Sequence, residues 1–280
     1  MKNILLPTDF SDNSWNAINY AIQFYKNTPC NFYILHVTLM PTYIGGEIPI
    51  FPSTNILETT VLKQAKIELT KLLKKIKKTD KNPDHHFFSI SKYDFFIDAV
   101  KTQIEEKNID LIIMGTKGAT GFNEVVVGTN TGDLITKIKC PVLIIPEKST
   151  FSPPKEIAFP TDFHNFYQPF ILNNISEFAE MYNSSVRLVH VAKKDEVLTG
   201  NQLENKHYLH NYFTENKHSF HRITSNNIED GVRCFVESRD IDIIIMIAKN
   251  LTFFQRILFK PTVEEISYHT KVPFLVLHEE

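Results

Sequence analysis

The chain repeats itself, and the repeat limits its possible folds more than any other feature. Asn3-Ile-Leu-Leu-Pro-Thr-Asp-Phe10 returns as Glu156-Ile-Ala-Phe-Pro-Thr-Asp-Phe163, and Asn31-Phe-Tyr-Ile-Leu-His-Val37 returns as Ser185-Val-Arg-Leu-Val-His-Val191. Ile109-Asp-Leu-Ile-Ile-Met114 returns as Ile241-Asp-Ile-Ile-Ile-Met246. Lys139-Cys-Pro-Val-Leu-Ile-Ile-Pro146 returns as Lys271-Val-Pro-Phe-Leu-Val-Leu-His278. Four matches in the same order leave little room for chance. Between the halves lies 147–155, where Ser149, Thr150, Ser152, Pro153 and Pro154 mark a linker. With 280 residues, 42% of them hydrophobic, the chain can bury two ordinary cores. The expected domains are 1–148 and 154–280.

Each half alternates apolar strand-like runs with helical patterns. In the first half strands are expected over 3–6, 31–36, 87–91, 111–114 and 142–145, and helices over 13–26, 55–78, 97–107 and 131–138. Short apolar strands separated by helices predict an α/β domain, a five-stranded parallel sheet with helices on both faces. Ligands of such sheets sit at the carboxyl ends of the strands.

One such strand end carries Met114-Gly115-Thr116-Lys117-Gly118, nine further residues, then Gly128-Thr129-Asn130-Thr131. Glycines there let the chain bend and let a ligand approach without meeting a Cβ. Thr129, Asn130 and Thr131 are candidate N-caps of the following helix, where free backbone N–H groups favour an anion, usually phosphate. No Walker A string occurs, and the dinucleotide fingerprint belongs after the first strand of its unit, whereas this loop follows the fourth.

The spacing Gly-x2-Gly-x9-Gly-Ser/Thr in this place resembles the ATP-binding signature of the universal stress protein family, and the resemblance extends over both halves. It implies two tandem Rossmann-like domains of the adenine nucleotide alpha hydrolase-like type. It also implies an adenine pocket floored by Thr8 and Val37, with Gly115 against the ribose. Gly118, Gly128, Thr129 and Asn130 would hold the triphosphate of ATP. Mg²⁺ or Mn²⁺ would rest on phosphate oxygens and water, since no acidic cluster in the loop marks a metal site. In the family the aspartate at Asp9 lies near the ribose; helix capping or bracing of the turn is the other reading, because Asp162 repeats it. Family members pair their last strands across a two-fold axis, which implies an intrachain pseudo-dimer and leaves room for a homodimer. The implied role is an ATP-binding stress-response regulator with unidentified protein partners. A slow ATPase or phosphotransferase and a nucleotide-free dimerisation scaffold are the alternatives. No catalytic residues are assigned, because no nucleophile sits beside a base.

The repeat also serves as an internal control. At a constant offset of 132, Gly115 maps to Ile247, Gly118 to Asn250, Gly128 to Lys260 and Thr129 to Pro261. The cradle is lost, and Pro261 removes an N–H donor. Residues 154–280 therefore read as a degenerate copy that does not bind ATP, with Phe253, Phe254, Ile257, Leu258 and Phe259 packing against protein. His36 to His190 is 154 positions and Asp110 to Asp242 is 132, so the first half carries 22 extra residues between them. Much of that excess is assigned to 39–55, a lid or interface arm holding Pro41, Gly45, Gly46, Pro49 and Pro52.

Composition excludes several classes. A net charge of −2 gives no electrostatic case for nucleic acid. Lys71, Lys74, Lys75, Lys77 and Lys78 lie at helical spacing beside leucines and read as a solvated helix face. Three scattered cysteines (Cys30, Cys140, Cys234) fit a reducing compartment. Ile4-Leu5-Leu6 runs straight into Pro7 and Asp9, unlike a secretory leader, and no apolar run approaches the ~18 residues that span a bilayer. A soluble, cytoplasmic protein without membrane partners is expected. His207-x2-His210-x7-His218-x2-His221 has metal-like spacing but polar company, and reads as a solvated helix and strand start. Asp84-His85-His86 is read as preceding a strand, without the carboxylates of a phosphoesterase.

Overall fold

The structure, a computed structural model, describes residues 1–39, 54–116, 129–248 and 271–279. By contacts the chain divides into two compact units, Met1–Glu147 and Lys148–Glu280. The first runs β1 (Lys2–Pro7), α1 (Asp12–Phe24), β2 (Cys30–Thr38), α2 (Thr54–Thr79) and β3 (His85–Tyr93). It continues through α3 (Phe96–Lys107), β4 (Leu111–Gly115), α4 (Thr129–Lys137) and β5 (Val142–Ile145). The strands lie in the order β3-β2-β1-β4-β5, with every pair parallel. β1 is central: Ile4, Leu5 and Leu6 are all fully buried, which requires cover on both faces of the sheet.

The second unit runs β6 (Glu156–Pro160), α5 (Pro169–Tyr182), β7 (Ser185–Ala192), α6 (Gly200–Tyr212) and β8 (His218–Thr224). After these come α7 (Ile228–Ser238), β9 (Ile243–Ile247) and β10 (Phe274–Leu277). Its order is β8-β7-β6-β9-β10, again all parallel. Each unit is thus an α/β domain with a five-stranded parallel sheet. In both, a single Asn in the left-handed region ends a helix, Asn108 (φ 47°) after α3 and Asn183 (φ 54°) after α5.

Apolar runs alone underestimate two strands. β2 extends to Thr38, and β3 spans nine residues because parallel pairing from Cys30↔His85 to Thr38↔Tyr93 carries on through polar positions. His85 and His86 therefore belong to β3 and do not precede it. His85 is buried: Nε2–H donates to Tyr25 O (3.0 Å) and Thr28 O (3.2 Å), while Nδ1 lies 3.0 Å from Asp80 Oδ2. It joins the ends of α1 and α2 to the sheet edge, which is a structural task. α4 begins at Thr129, two residues before its expected start. Among the described residues no helix is long and apolar enough to cross a membrane.

Candidate functional site

At the end of β1 the chain turns through Thr8, Asp9 and Phe10 into α1. Thr8 is buried, its hydroxyl 3.0 Å from that of Ser14 and accepting from the Phe10 N–H at 3.0 Å. Asp9 Oδ1 accepts from both the N–H (3.1 Å) and the hydroxyl (2.6 Å) of Ser11. Ser11 in turn caps the helix by accepting from the Ser14 N–H at 3.2 Å. Asp9 therefore braces the turn and holds the cap residue in place; the cap itself is Ser11. Phe10 sits at φ 67°, a left-handed conformation that costs a bulky residue about 1–2 kcal/mol. Its ring stacks on His36 with centroids 4.4 Å apart. His36 Nδ1–H donates to Thr8 O (2.8 Å), since a carbonyl can only accept.

Next to that bond the pairing of β1 with β2 comes to an end. Thr8 N–H donates to Leu35 O (2.8 Å), and the β1–β2 pairing ends at Pro7↔Leu35. Alternate residues of a strand aim their polar groups to the same side, so the N–H and C=O of Val37 also face β1. By then β1 has turned away, and Thr8 O is held by His36. Val37 thus presents a donor and an acceptor side by side at the carboxyl end of the sheet.

The third wall is β4. Gly115 ends it, and a Cβ there would lie 2.8 Å from Asn13 Oδ1 and 2.9 Å from its Cγ, so glycine leaves the room that the Asn13 side chain of α1 fills. The buried Thr131 hydroxyl donates to Gly115 O (3.2 Å), tying the first turn of α4 to the end of β4. Asn130 lies exposed in that same turn, beside Thr129, where the first N–H groups of a helix lack internal partners. Thr131, expected among the candidate caps, reaches across to the end of β4. Thr8, Asp9, Val37 and Gly115 thus gather at the carboxyl ends of β1, β2 and β4, and α4 is tied to that place. Gly118 and Gly128 lie outside the described residues, as do 40–53 of the long segment after β2 and 253–259 of the second unit. Among the described residues no group of three or more His, Cys, Asp or Glu is placed to hold a metal ion. His210 Nδ1 and His218 Nε2 approach to 2.8 Å as a pair across α6 and β8.

The second unit rebuilds the turn with different parts. Phe163 is again left-handed (φ 59°), its N–H donates to Thr161 Oγ1 (3.1 Å), and His190 Nδ1–H donates to Thr161 O (3.0 Å). The hydroxyl of Tyr167, in place of that of Ser14, lies 2.8 Å from Thr161 Oγ1. Burial pushes the Tyr167 phenol up to about 12.

Residues 1–146 match the family model described as the universal stress protein family. Universal stress protein MJ0531 of Methanocaldococcus jannaschii is 29% identical over 149 residues, covering 51% of this chain and 81% of that protein. Universal stress protein A homolog 1 of Coxiella burnetii is 28% identical over 145 residues, covering 51% of this chain and 95% of its own length. A solved universal stress protein from Archaeoglobus fulgidus shares the fold at a TM-score of 0.73 and 17% identity, covering 99% of this chain and 98% of that one. The model match spans more than half of the 280 residues, and this chain belongs to the universal stress protein family.

Proposed function

We propose that the first unit binds one molecule of ATP and that the chain acts as a nucleotide-dependent stress-response regulator. Val37 carries this reading, with its donor and acceptor aimed into the gap left by the β1 turn, a match for the edge of an adenine ring. Thr8 forms the floor beside it. Asp9, braced by Ser11, would accept from a ribose hydroxyl in this reading. The residues present fit a nucleotide: glycine at 115 leaves the end of β4 without a side chain, and only the Asn13 amide packs onto it. Thr129 and Asn130, with Gly118 and Gly128, would take the phosphates, and Mg²⁺ or Mn²⁺ would sit on phosphate oxygens. Residues 154–280 act as a degenerate copy that does not bind ATP. Three free thiols suit work in a reducing cytoplasm.

Bound ATP would supply binding energy that favours one conformation for partner engagement; the chain's residues position it and shield the base. Calorimetric titration with Mg-ATP should give a stoichiometry near one per chain. Gly128→Val should abolish the heat, because a β-branched side chain restricts the backbone where the phosphates pass. A stoichiometry of two, or full binding by Gly128→Val, would refute the assignment.

A further inference from the structure

Four histidines of the second unit lie at metal-like spacing, and the fold sorts them into one pair and two bystanders. Along β8 alternate side chains point to opposite faces, so His218 and Phe220 share one face, and Ser219 and His221 the other. His221 is engaged there: its Nε2 lies 2.8 Å from Ser219 Oγ, and its ring packs on Phe235 of α7 with centroids 5.0 Å apart. His218 instead faces α6, where His210 Nδ1 comes within 2.8 Å of its Nε2. His207 is exposed, three residues earlier on α6.

The pair is set up as a chelate. His218 Nδ1–H donates to Asn216 O (3.0 Å), since a carbonyl can only accept, and this leaves the Nε2 lone pair for its partner. A ring held through one nitrogen against a carbonyl is how proteins orient a histidine that binds metal through the other. Aromatic rings back the arrangement: His218 meets Phe220 edge-on with centroids 5.9 Å apart, and lies 6.3 Å from the fully buried Phe213. With both rings neutral, His210 supplies Nδ1–H to His218. Moving that proton to His210 Nε2 leaves the charge unchanged and frees a second lone pair beside the first. His210 is exposed, so its ring can turn and water can reach an ion held there. The separation selects the ion. Two nitrogens bound cis at ~2.0 Å on a square-planar or octahedral ion stand ~2.8 Å apart, whereas on a tetrahedral ion they stand ~3.3 Å apart. The 2.8 Å of this pair matches the first, the geometry of Cu²⁺ and Ni²⁺ and not of Zn²⁺. No third His, Cys, Asp or Glu joins the pair among the described residues, so water fills the remaining positions.

We propose that His210 and His218 chelate a tetragonal divalent ion of the copper–nickel class, clipping α6 to β8, the edge strand of the second unit. The pair shares no residue with the nucleotide reading, and the titration is run without nucleotide, which would itself bind the ion. The full chain, bearing no affinity tag, is titrated calorimetrically with Cu²⁺, Ni²⁺ and Zn²⁺ at neutral pH. Cu²⁺ should bind most tightly and Ni²⁺ more tightly than Zn²⁺. Electron paramagnetic resonance of the Cu²⁺ form should show an axial signal split by two imidazole nitrogens. His210→Ala and His218→Ala should each weaken Cu²⁺ binding roughly a hundredfold, because the second imidazole no longer binds intramolecularly. His221→Ala should leave it unchanged. Because His210 is exposed, its replacement tests the pair without disturbing the core. Full Cu²⁺ binding by His210→Ala, or an equal loss in His221→Ala, overturns the proposal. So does a resonance signal split by one nitrogen alone, or Zn²⁺ binding more tightly than both other ions.

Discussion

The two units end their first strands in the same turn and then part ways. Both place a phenylalanine in the left-handed region, set a histidine Nδ1–H on the carbonyl of the preceding threonine, and use that threonine's hydroxyl to accept from the phenylalanine N–H. Those features survive where the glycine loop does not, so they serve the turn and not the phosphates. The difference comes next. By the offset of 153 that relates Thr8 to Thr161, a copy of α1 would begin at 165; α5 begins at Pro169, four residues later. Ser11 caps α1 through its side chain, whereas Gln168 at the start of α5 makes no side-chain cap bond. The longer second turn is held instead by α6: Gln202 donates to Asp162 O and Asn205 to Phe163 O, each at 2.8 Å. Tyr167 fills the space near Thr161. The first unit keeps its helix start short beside its gap, and the second ties its turn down with side chains. A fold can change the loop after its fourth strand and still keep this turn.

The largest way to break this comparison is thiol chemistry. The first unit holds Cys30 and Cys140, and burial pushes both thiols from 9.0 up to about 12. The second holds Cys234, which is exposed. Because the thiolate is the nucleophile, the first-unit thiols, with about a thousandfold less thiolate, should react at least tenfold more slowly than an unperturbed thiol, before any loss of access is counted. A disulfide reagent near pH 8 should therefore find one fast thiol per chain, and all three after unfolding in urea. Two or more fast thiols in the native protein would show that the first core opens more easily than the second.

Deletion of the two hydroxyl partners should sharpen the contrast. Tyr167→Ala removes a large buried ring and should cost about 3–4 kcal/mol in urea unfolding. Ser14→Ala removes only a hydroxyl, which pairs with that of Thr8 and donates to Ser11 O, and should cost about 1–2 kcal/mol. Equal costs would mean that Tyr167 is no more a packing element than Ser14. Thr131→Val should have the smallest effect. It removes the bond to Gly115 O, worth about 1 kcal/mol, and should weaken Mg-ATP binding roughly fivefold. A change confined to stability, with affinity intact, would separate α4 from the nucleotide site.

The fold was legible because consecutive buried residues such as Ile4-Leu5-Leu6 and the four residues of β5 leave an unbroken apolar signature, and the repeat doubled every signal. Thr8, Val37 and Gly115 were placed at strand ends by the same runs. What the sequence hid depends on the third dimension. Residues of β3 after His85 are all exposed or half-buried at a sheet edge, so their strand character comes from pairing with β2 and not from their own hydrophobicity. The role of His85 needs three segments brought together, and that of Thr131 needs the end of β4 beneath it. Tyr167 reads as one aromatic among many until Thr161 is found across from its hydroxyl.

Strand order also sets a schedule. β1 meets β2 through Lys2↔Cys30, but its other neighbour pairs through Ile4↔Leu111, 107 residues further along. A chain that emerges from the ribosome in sequence can form the Thr8 turn and the Val37 edge while most of the unit is still unmade. Gly115 cannot reach Asn13 until β4 has slotted against β1. The half built on β1 and β2 is therefore available early, and the half built on β4 is the last to close. A nascent chain stalled before residue 111 would carry the Thr8 turn and the Val37 edge without the strand end that packs on Asn13.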